Sequence, residues 1–93
     1  MIKKYLRLIL LKYIKKSETV DCNEVQIISK KIYKIGETKP FTGKVISKYE
    51  NNQIRYEENY KKGKPHGLRK TFKLNGQLKY EEEYKQGKYI IKK

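Results

Sequence analysis

Residues 51–64 and 75–88 are two copies of one pattern, set 24 residues apart. The first reads Asn-Asn-Gln-Ile-Arg-Tyr-Glu-Glu-Asn-Tyr-Lys-Lys-Gly-Lys. The second reads Asn-Gly-Gln-Leu-Lys-Tyr-Glu-Glu-Glu-Tyr-Lys-Gln-Gly-Lys. The same offset matches Gly43 to Gly67 and Ser47 to Thr71. A weaker copy starts near Ile32, where Tyr33-Lys34-Ile35-Gly36 echoes Tyr60-Lys61-Lys62-Gly63. An internal repeat decides the architecture, because each unit must bury its apolar face against the next. The expected organisation is a basic segment over 1–16 and a repeat domain over 17–93. Its repeats cover about 40–64 and 65–88, with a degenerate copy at about 25–39.

Each copy reads as a β-hairpin. Ile54, Tyr56, Glu58 and Tyr60 alternate with Arg55, Glu57 and Asn59, and Leu78, Tyr80, Glu82 and Tyr84 repeat the alternation. Period-two patterning with aromatic enrichment marks a half-buried strand. Asn75-Gly76 is a hairpin turn signal. A two-residue turn there would mix apolar and polar side chains on one face. A three-residue loop, Leu74-Asn75-Gly76 with Gly76 left-handed, separates them better. It sets Phe72 opposite Leu78, Lys70 opposite Tyr80 and Arg69 opposite Glu81, and in the first copy Ile46 opposite Tyr56. Tyr49 then falls on the polar face. Gly36, Gly63 and Gly87 fall where hairpins reverse, and Gly43, Gly67 and Gly76 complete the set of structural turn glycines. The expected fold is mainly β: an antiparallel meander of stacked hairpins with an N-terminal helix.

The spacing of Gly, aromatic, Asn-Gly-Gln-Leu, Tyr and a Lys-rich Gly turn resembles MORN repeats, and is most similar to their bacterial variant. Pro40-Phe41-Thr42-Gly43-Lys44-Val45-Ile46-Ser47-Lys48-Tyr49-Glu50-Asn51-Asn52-Gln53 looks like an opening copy, and Lys64-Pro65-His66-Gly67 like an inter-repeat junction. The resemblance covers roughly residues 32–90. Asn52 stands where Gly is usual. The resemblance implies stacked hairpins and an interaction role. Eukaryotic members are linked to membrane lipids and scaffolding, and some bacterial ones carry an antitoxin label. It implies no catalytic residue.

Charge bears on the partner. The net charge is +14. Residues 1–16 carry six Lys/Arg and no acid, 17–39 carry four of each, and 40–93 carry fourteen bases against six acids. Such an excess attracts nucleic acid, anionic lipid or acidic protein, and it is also what a solvated Lys-rich surface looks like. On a helical wheel Ile2, Tyr5, Leu6, Ile9, Leu10 and Tyr13 share a face, opposite Lys3, Lys4, Arg7, Lys12, Lys15 and Lys16. Three readings of this segment stay open. It is a helix covering the Tyr-rich sheet, an interfacial helix on anionic membrane, or a degenerate secretory signal. Its uninterrupted apolar run, Leu8–Leu11, is too short for a membrane span.

No constellation carries chemistry. Adjacent carboxylates such as Glu57-Glu58 and Glu81-Glu82-Glu83 point to opposite faces of a strand and pair across it with Lys and Arg. His66 is the only histidine and sits in a turn. Cys22 is the only cysteine, so neither an internal disulfide nor the usual His/Cys zinc set can form. The expected protein is not an enzyme and uses no cofactor, metal or small-molecule substrate. It binds a partner protein, in an antitoxin-like manner among other forms, or alternatively an anionic membrane surface, with nucleic acid behind both. Candidate contacts are Tyr56, Tyr60, Tyr80 and Tyr84 and the six bases of residues 1–16. For single-stranded nucleic acid, Arg55, Lys79 and Lys85 would join the tyrosines, but strict alternation puts those bases on the opposite face. The compartment is not fixed by the sequence. A cytoplasmic or membrane-peripheral site is favoured, or the cell envelope if residues 1–16 act as a signal.

Overall fold

The computed structural model describes residues 18–92. The N-terminal helix expected over residues 1–16 lies outside the described residues. Among the described residues eight strands follow one another: β1 (Glu18–Asp21), β2 (Val25–Ile28), β3 (Lys31–Lys34), β4 (Gly43–Lys48), β5 (Ile54–Lys61), β6 (Lys64–Phe72), β7 (Leu78–Lys85) and β8 (Lys88–Lys92). A 3-10 turn, Cys22–Glu24, separates β1 from β2. Asp21 caps it by accepting from Asn23 N, and Glu24 Oε2 accepts from Asp21 N at 2.7 Å. This reciprocal pair ends β1 sharply.

The fold is mainly β, but the principal sheet is mixed rather than wholly antiparallel. Its order is β1-β4-β5-β6-β7-β8, while β2 and β3 form a separate two-stranded sheet. From β4 to β8 the chain is the expected meander. β1, however, runs parallel to β4, from Glu18↔Gly43 to Asp21↔Ile46. A parallel pair needs a crossover of a dozen or more residues. Residues 22–42 supply it, and the β2–β3 hairpin lies within that crossover.

Two kinds of turn link the strands. Lys62-Gly63 and Gln86-Gly87 have positive φ at both central residues, as does Ser29-Lys30 between β2 and β3. These are the two-residue turns whose twist matches that of the strands. Within each repeat the loop has three residues. Lys73 N donates to Gln77 O at 2.8 Å and Gly76 N to Lys73 O at 2.9 Å, enclosing Leu74-Asn75-Gly76 with Gly76 at φ +92°. The first copy repeats this: Tyr49 N donates to Gln53 O and Asn52 N to Tyr49 O, with Asn52 at φ +71°. Asn tolerates the left-handed region better than most residues, so it stands in for Gly.

The expected pairing of Phe72 with Leu78 is present, but one step further on the register slips. Tyr80 faces Thr71, not Lys70, and Arg69 faces Glu82, not Glu81. In the first copy Tyr56 faces Ser47, not Ile46. The cause is a β-bulge in each hairpin, with Lys79 in β7 and Arg55 in β5 as the extra residue. The slip also corrects Tyr49. It is half-buried rather than on a polar face, and its Oη donates to Phe72 O at 2.8 Å, tying one repeat to the next.

The apolar core is small and lies at one end of the sheet. Val20, Ile32, Phe41 and Val45 are buried, with Cys22, Val25 and Tyr60 packed against them. Val20 and Val45 are register partners on β1 and β4. Ile32, on β3, brings the smaller sheet over them. Hydrogen bonds lock the junction: Phe41 N donates to Ile32 O (2.9 Å), Gly63 N to Phe41 O (2.8 Å) and Ile32 N to Gly63 O (2.9 Å). One repeat later Gly87 N donates to Pro65 O at 2.7 Å. Each turn glycine thus hangs on the carbonyl that opens its own repeat. Gly63 has φ +83°, and a Cβ there would lie 2.9 Å from Lys31 Cβ and 3.0 Å from Pro40 Cβ. No side chain fits.

Candidate interaction surface

Tyr56, Tyr60, Tyr80 and Tyr84 do share one face of the principal sheet. Tyr56 and Tyr80 flank Thr71 of β6, Tyr84 faces Gly67, and Tyr60 faces Gly43 and Pro65. The face is not purely apolar. Between the two tyrosine rows Arg69 stands in register with Glu58 on one side and Glu82 on the other. Arg69 Nε lies 3.3 Å from Glu58 Oε2. The slipped register moves Arg69 from the expected polar face, where it stood opposite Glu81, to the tyrosine face with Glu58.

Burial sets the electrostatics. Tyr60 packs against the core, and its removal from water pushes the phenol far above its usual range, with the Glu58 carboxylate adding to the shift. Tyr56 is raised too, by burial first and then by Cys22 and Glu58. Burial opposes the charge on Arg69, but Glu58, Tyr84 and Glu82 together outweigh it, and the guanidinium is held more firmly charged than usual. Burial thus favours the neutral phenol at Tyr56 and Tyr60.

The bulges bring together what strict alternation keeps apart. Arg55 Cζ lies 5.2 Å from the centroid of the Tyr56 ring, and Lys79 Nζ lies 5.7 Å from that of Tyr80. The two contacts are repeat equivalents. They correct the expectation that these bases stand on the opposite face, because the extra residue of a bulge interrupts the alternation. Nothing in the sequence marks that residue, since Ile54-Arg55-Tyr56 reads as unbroken period two. Tyr84 also stacks edge-on against Tyr89 of β8, with centroids 5.7 Å apart.

The other face is an ionic lattice. Lys44 Nζ lies 3.9 Å from Glu57 Oε2, and Lys70 stands in register between Glu57 and Glu81. The turns at Lys62-Gly63 and Gln86-Gly87 lie at the same end of the meander, where Lys61, Lys62, Lys64, Lys85 and Lys88 are exposed. At this end an open cleft of about 750 Å³ is lined by Glu18, Phe41, Tyr60, His66 and Gly67 among others. Glu18 is engaged, since Lys34 Nζ donates to it at 2.6 Å and is raised in pKa chiefly by that bond. His66 Nδ1 accepts from Gln86 N at 3.2 Å, a contact between turns.

Gly36, Gly63, Gly76 and Gly87 lie in turns. Gly43 opens β4 instead, and Gly67 lies inside β6, at a wide bulge. There Asn59 faces surplus residues of β6, and its Nδ2 donates to Leu68 O at 2.7 Å. Lys3, Lys4, Arg7, Lys12, Lys15 and Lys16 lie outside the described residues. Among the described residues no three His, Cys, Asp or Glu side chains group to hold a metal ion, and no helix is long and apolar enough to cross a membrane.

The sheet ends on β8, which has β7 as its one neighbour among the described strands. Tyr89 and Ile90 are 53% and 51% exposed there. Sequence comparison matches the MORN repeat variant family twice, over residues 41–62 and 65–86. No curated protein and no solved structure matches the chain. Each match spans one strand–loop–strand hairpin, so the repeating unit of the sequence and that of the fold coincide, and the chain is a MORN-repeat protein of the variant type.

Proposed function

We propose that this protein is a non-enzymatic binding module for a partner protein, built as a repeat domain over residues 17–93 and preceded by a separate basic segment, 1–16. The carrying observation is the C-terminal edge of the described sheet. β8 has β7 as its one neighbour among the described strands, and it exposes Tyr89 and Ile90. An uncovered edge strand is a template for a partner's backbone. MORN repeats as a class are associated with protein or membrane binding rather than catalysis, which supports the reading. An antitoxin-like role is one form it takes.

A second reading has its own observation. The exposed lysines of the stacked turns, together with the six bases of residues 1–16, suit an anionic membrane surface. The two separate experimentally. A Tyr89→Lys/Ile90→Lys variant, checked for folding by circular dichroism, should lose partners cross-linked to the wild-type chain in its source cells. Sedimentation of both chains with anionic vesicles at physiological salt should show no retention. Retention of both chains by anionic vesicles, with identical cross-linked partners, would transfer the function to the membrane.

A further inference from the structure

The two strands of the smaller sheet treat their outer edges differently. Ile28↔Lys31 flanks the two-residue turn and is a hydrogen-bonded rung of this antiparallel ribbon, and Gln26↔Tyr33 is the next. Ile35 N donates to Glu24 O at 2.9 Å, which continues the same series. The rungs between them, Val25↔Lys34 and Ile27↔Ile32, therefore turn their N–H and C=O groups outward on both strands. On β3 these groups are used. Ile32 N donates to Gly63 O, Ile32 O accepts from Phe41 N, and Lys34 O accepts from Glu37 N. On β2, among the described residues, no backbone bond from outside the ribbon reaches Val25 or Ile27. The side chains repeat the contrast: Ile32 is 6% exposed, whereas Ile27 directly opposite is 77% exposed. Ile28, on the other face of the strand, is exposed as well.

We infer that β2 pairs antiparallel with β2 of a second copy of this chain, joining two ribbons about a two-fold axis into one four-stranded sheet. Charge selects this occupant. Edge strands are commonly guarded by charged side chains against such pairing. Among the described strands β2, Val-Gln-Ile-Ile, alone carries no charged residue. In a chain of net charge +14, it is the stretch of edge where a second copy meets least repulsion. The flanks of β2 are complementary to themselves. Asp21 and Glu24 precede the strand, and Lys30 and Lys31 follow it. Antiparallel pairing brings the acidic end of each copy to the basic end of the other, whereas parallel pairing would set like against like. Outward backbone groups must meet outward ones, so Ile27 pairs with Val25 or with Ile27 of the second copy. The latter register sets Glu24 across from Lys30 at both ends. It also leaves Val25 packed against the core of its own chain and buries the exposed Ile27 pair at the axis. A self-complementary patch of this kind closes at two copies.

Sedimentation velocity of the purified full chain over a concentration series tests this, with amide exchange followed on the same samples. The paired strand is short, so the dimer should be weak and dissociate at roughly 10–100 μM chain. Exchange at the Val25 and Ile27 amides should slow as the dimer fills. Ile27→Lys sets two cations at the axis and removes two buried isoleucines, so it should weaken the dimer at least ~100-fold. The melting curve of the dilute chain should not change, because Ile27 is exposed in the single copy. Lys30→Glu sets acid against Glu24 at both ends and should weaken the dimer roughly tenfold. A chain still monomeric at about 1 mM overturns the inference, and so does a dimer that survives Ile27→Lys. Val25 and Ile27 amides equally protected at every concentration also overturn it, since the edge would then be covered from within the chain, by residues 1–16 or another segment. If Ile27→Lys fails to fold, exchange in the wild-type dimer decides alone: protection that appears elsewhere than β2 refutes the pairing.

Discussion

Three glycines carry almost the same left-handed φ: Gly36 at +86°, Gly63 at +83° and Gly87 at +85°. Their surroundings differ. A Cβ at Gly36 meets nothing within 4 Å, and one at Gly87 comes no closer than 3.7 Å to Lys64. At Gly63 it would press on Lys31 Cβ at 2.9 Å and Pro40 Cβ at 3.0 Å, neither of them a flexible side-chain end. Replacing each by Ala therefore separates backbone strain from crowding. The left-handed conformation costs an L-residue about 1–2 kcal/mol, and the stiffer unfolded chain offsets about 0.4–1 kcal/mol of that. Gly36→Ala and Gly87→Ala should then each lose about 1 kcal/mol, or ~4–8 °C of melting temperature for a domain of this size. Gly63→Ala adds an overpacking cost of about 1–3 kcal/mol. It also strains the bonds Gly63 N to Phe41 O and Ile32 N to Gly63 O that hold the smaller sheet to the larger. Its melting temperature should fall by at least ~10 °C. Thermal melts followed by far-ultraviolet circular dichroism measure all three. If Gly63→Ala matched Gly36→Ala to within about 0.5 kcal/mol, the packing at the repeat junction described here would be wrong.

Other outcomes follow from the tyrosine face and its ties. The Tyr60 phenol is raised when folded, so unfolding releases a proton once the pH passes the ordinary phenol range near ~10. Stability is then complete below that pH and falls as pH climbs towards the folded value; Tyr60→Phe should flatten the fall, and absorbance titration of phenolate should lose its latest-ionising step. A double-mutant cycle with Glu58→Gln and Arg69→Met should give a coupling of only about 1 kcal/mol, because the pair is partly open to water; a coupling indistinguishable from zero would mean the pair is not made in solution. Tyr49→Phe removes the hydrogen bond to Phe72 O and should cost about 0.5–1.5 kcal/mol in urea unfolding, whereas an unchanged midpoint would place that hydroxyl in water.

The hairpins were legible because their signals are local. Asn75-Gly76 and the glycines at 63 and 87 demand positive φ, and the three-residue loop follows from keeping Phe72 and Leu78 on one face. The bulges were not legible. An extra residue leaves the period-two pattern of Ile54-Arg55-Tyr56 intact, so the slip that moves Arg69 among the tyrosines has no sequence mark. The parallel strand β1 escaped for another reason: Val20 is its only apolar residue, and its partner β4 is a crossover away. The core likewise draws Val20 from outside the repeats, and Ile32 and Phe41 from stretches without the period-two pattern of the hairpin strands. Among the candidate contact residues, the common face of the four tyrosines was legible from alternation, whereas the stacking of Arg55 and Lys79 required the bulge.

The placement of the core at one end has a consequence for how the molecule comes apart. Val20, Ile32, Phe41 and Val45 anchor β1, β3 and β4, while among the described residues β8 is held by one neighbouring strand and the aromatic contact of Tyr84 with Tyr89. In a nearly one-dimensional stack each strand depends on the next, so opening starts where the chain has least to lose. The sheet should fray from its C-terminal side, β8 first and β7 after it, while the N-terminal half stays closed. Proteases and solvent deuterium would meet the last strands long before the first, and a partner seated on the fraying end would lock the whole ladder.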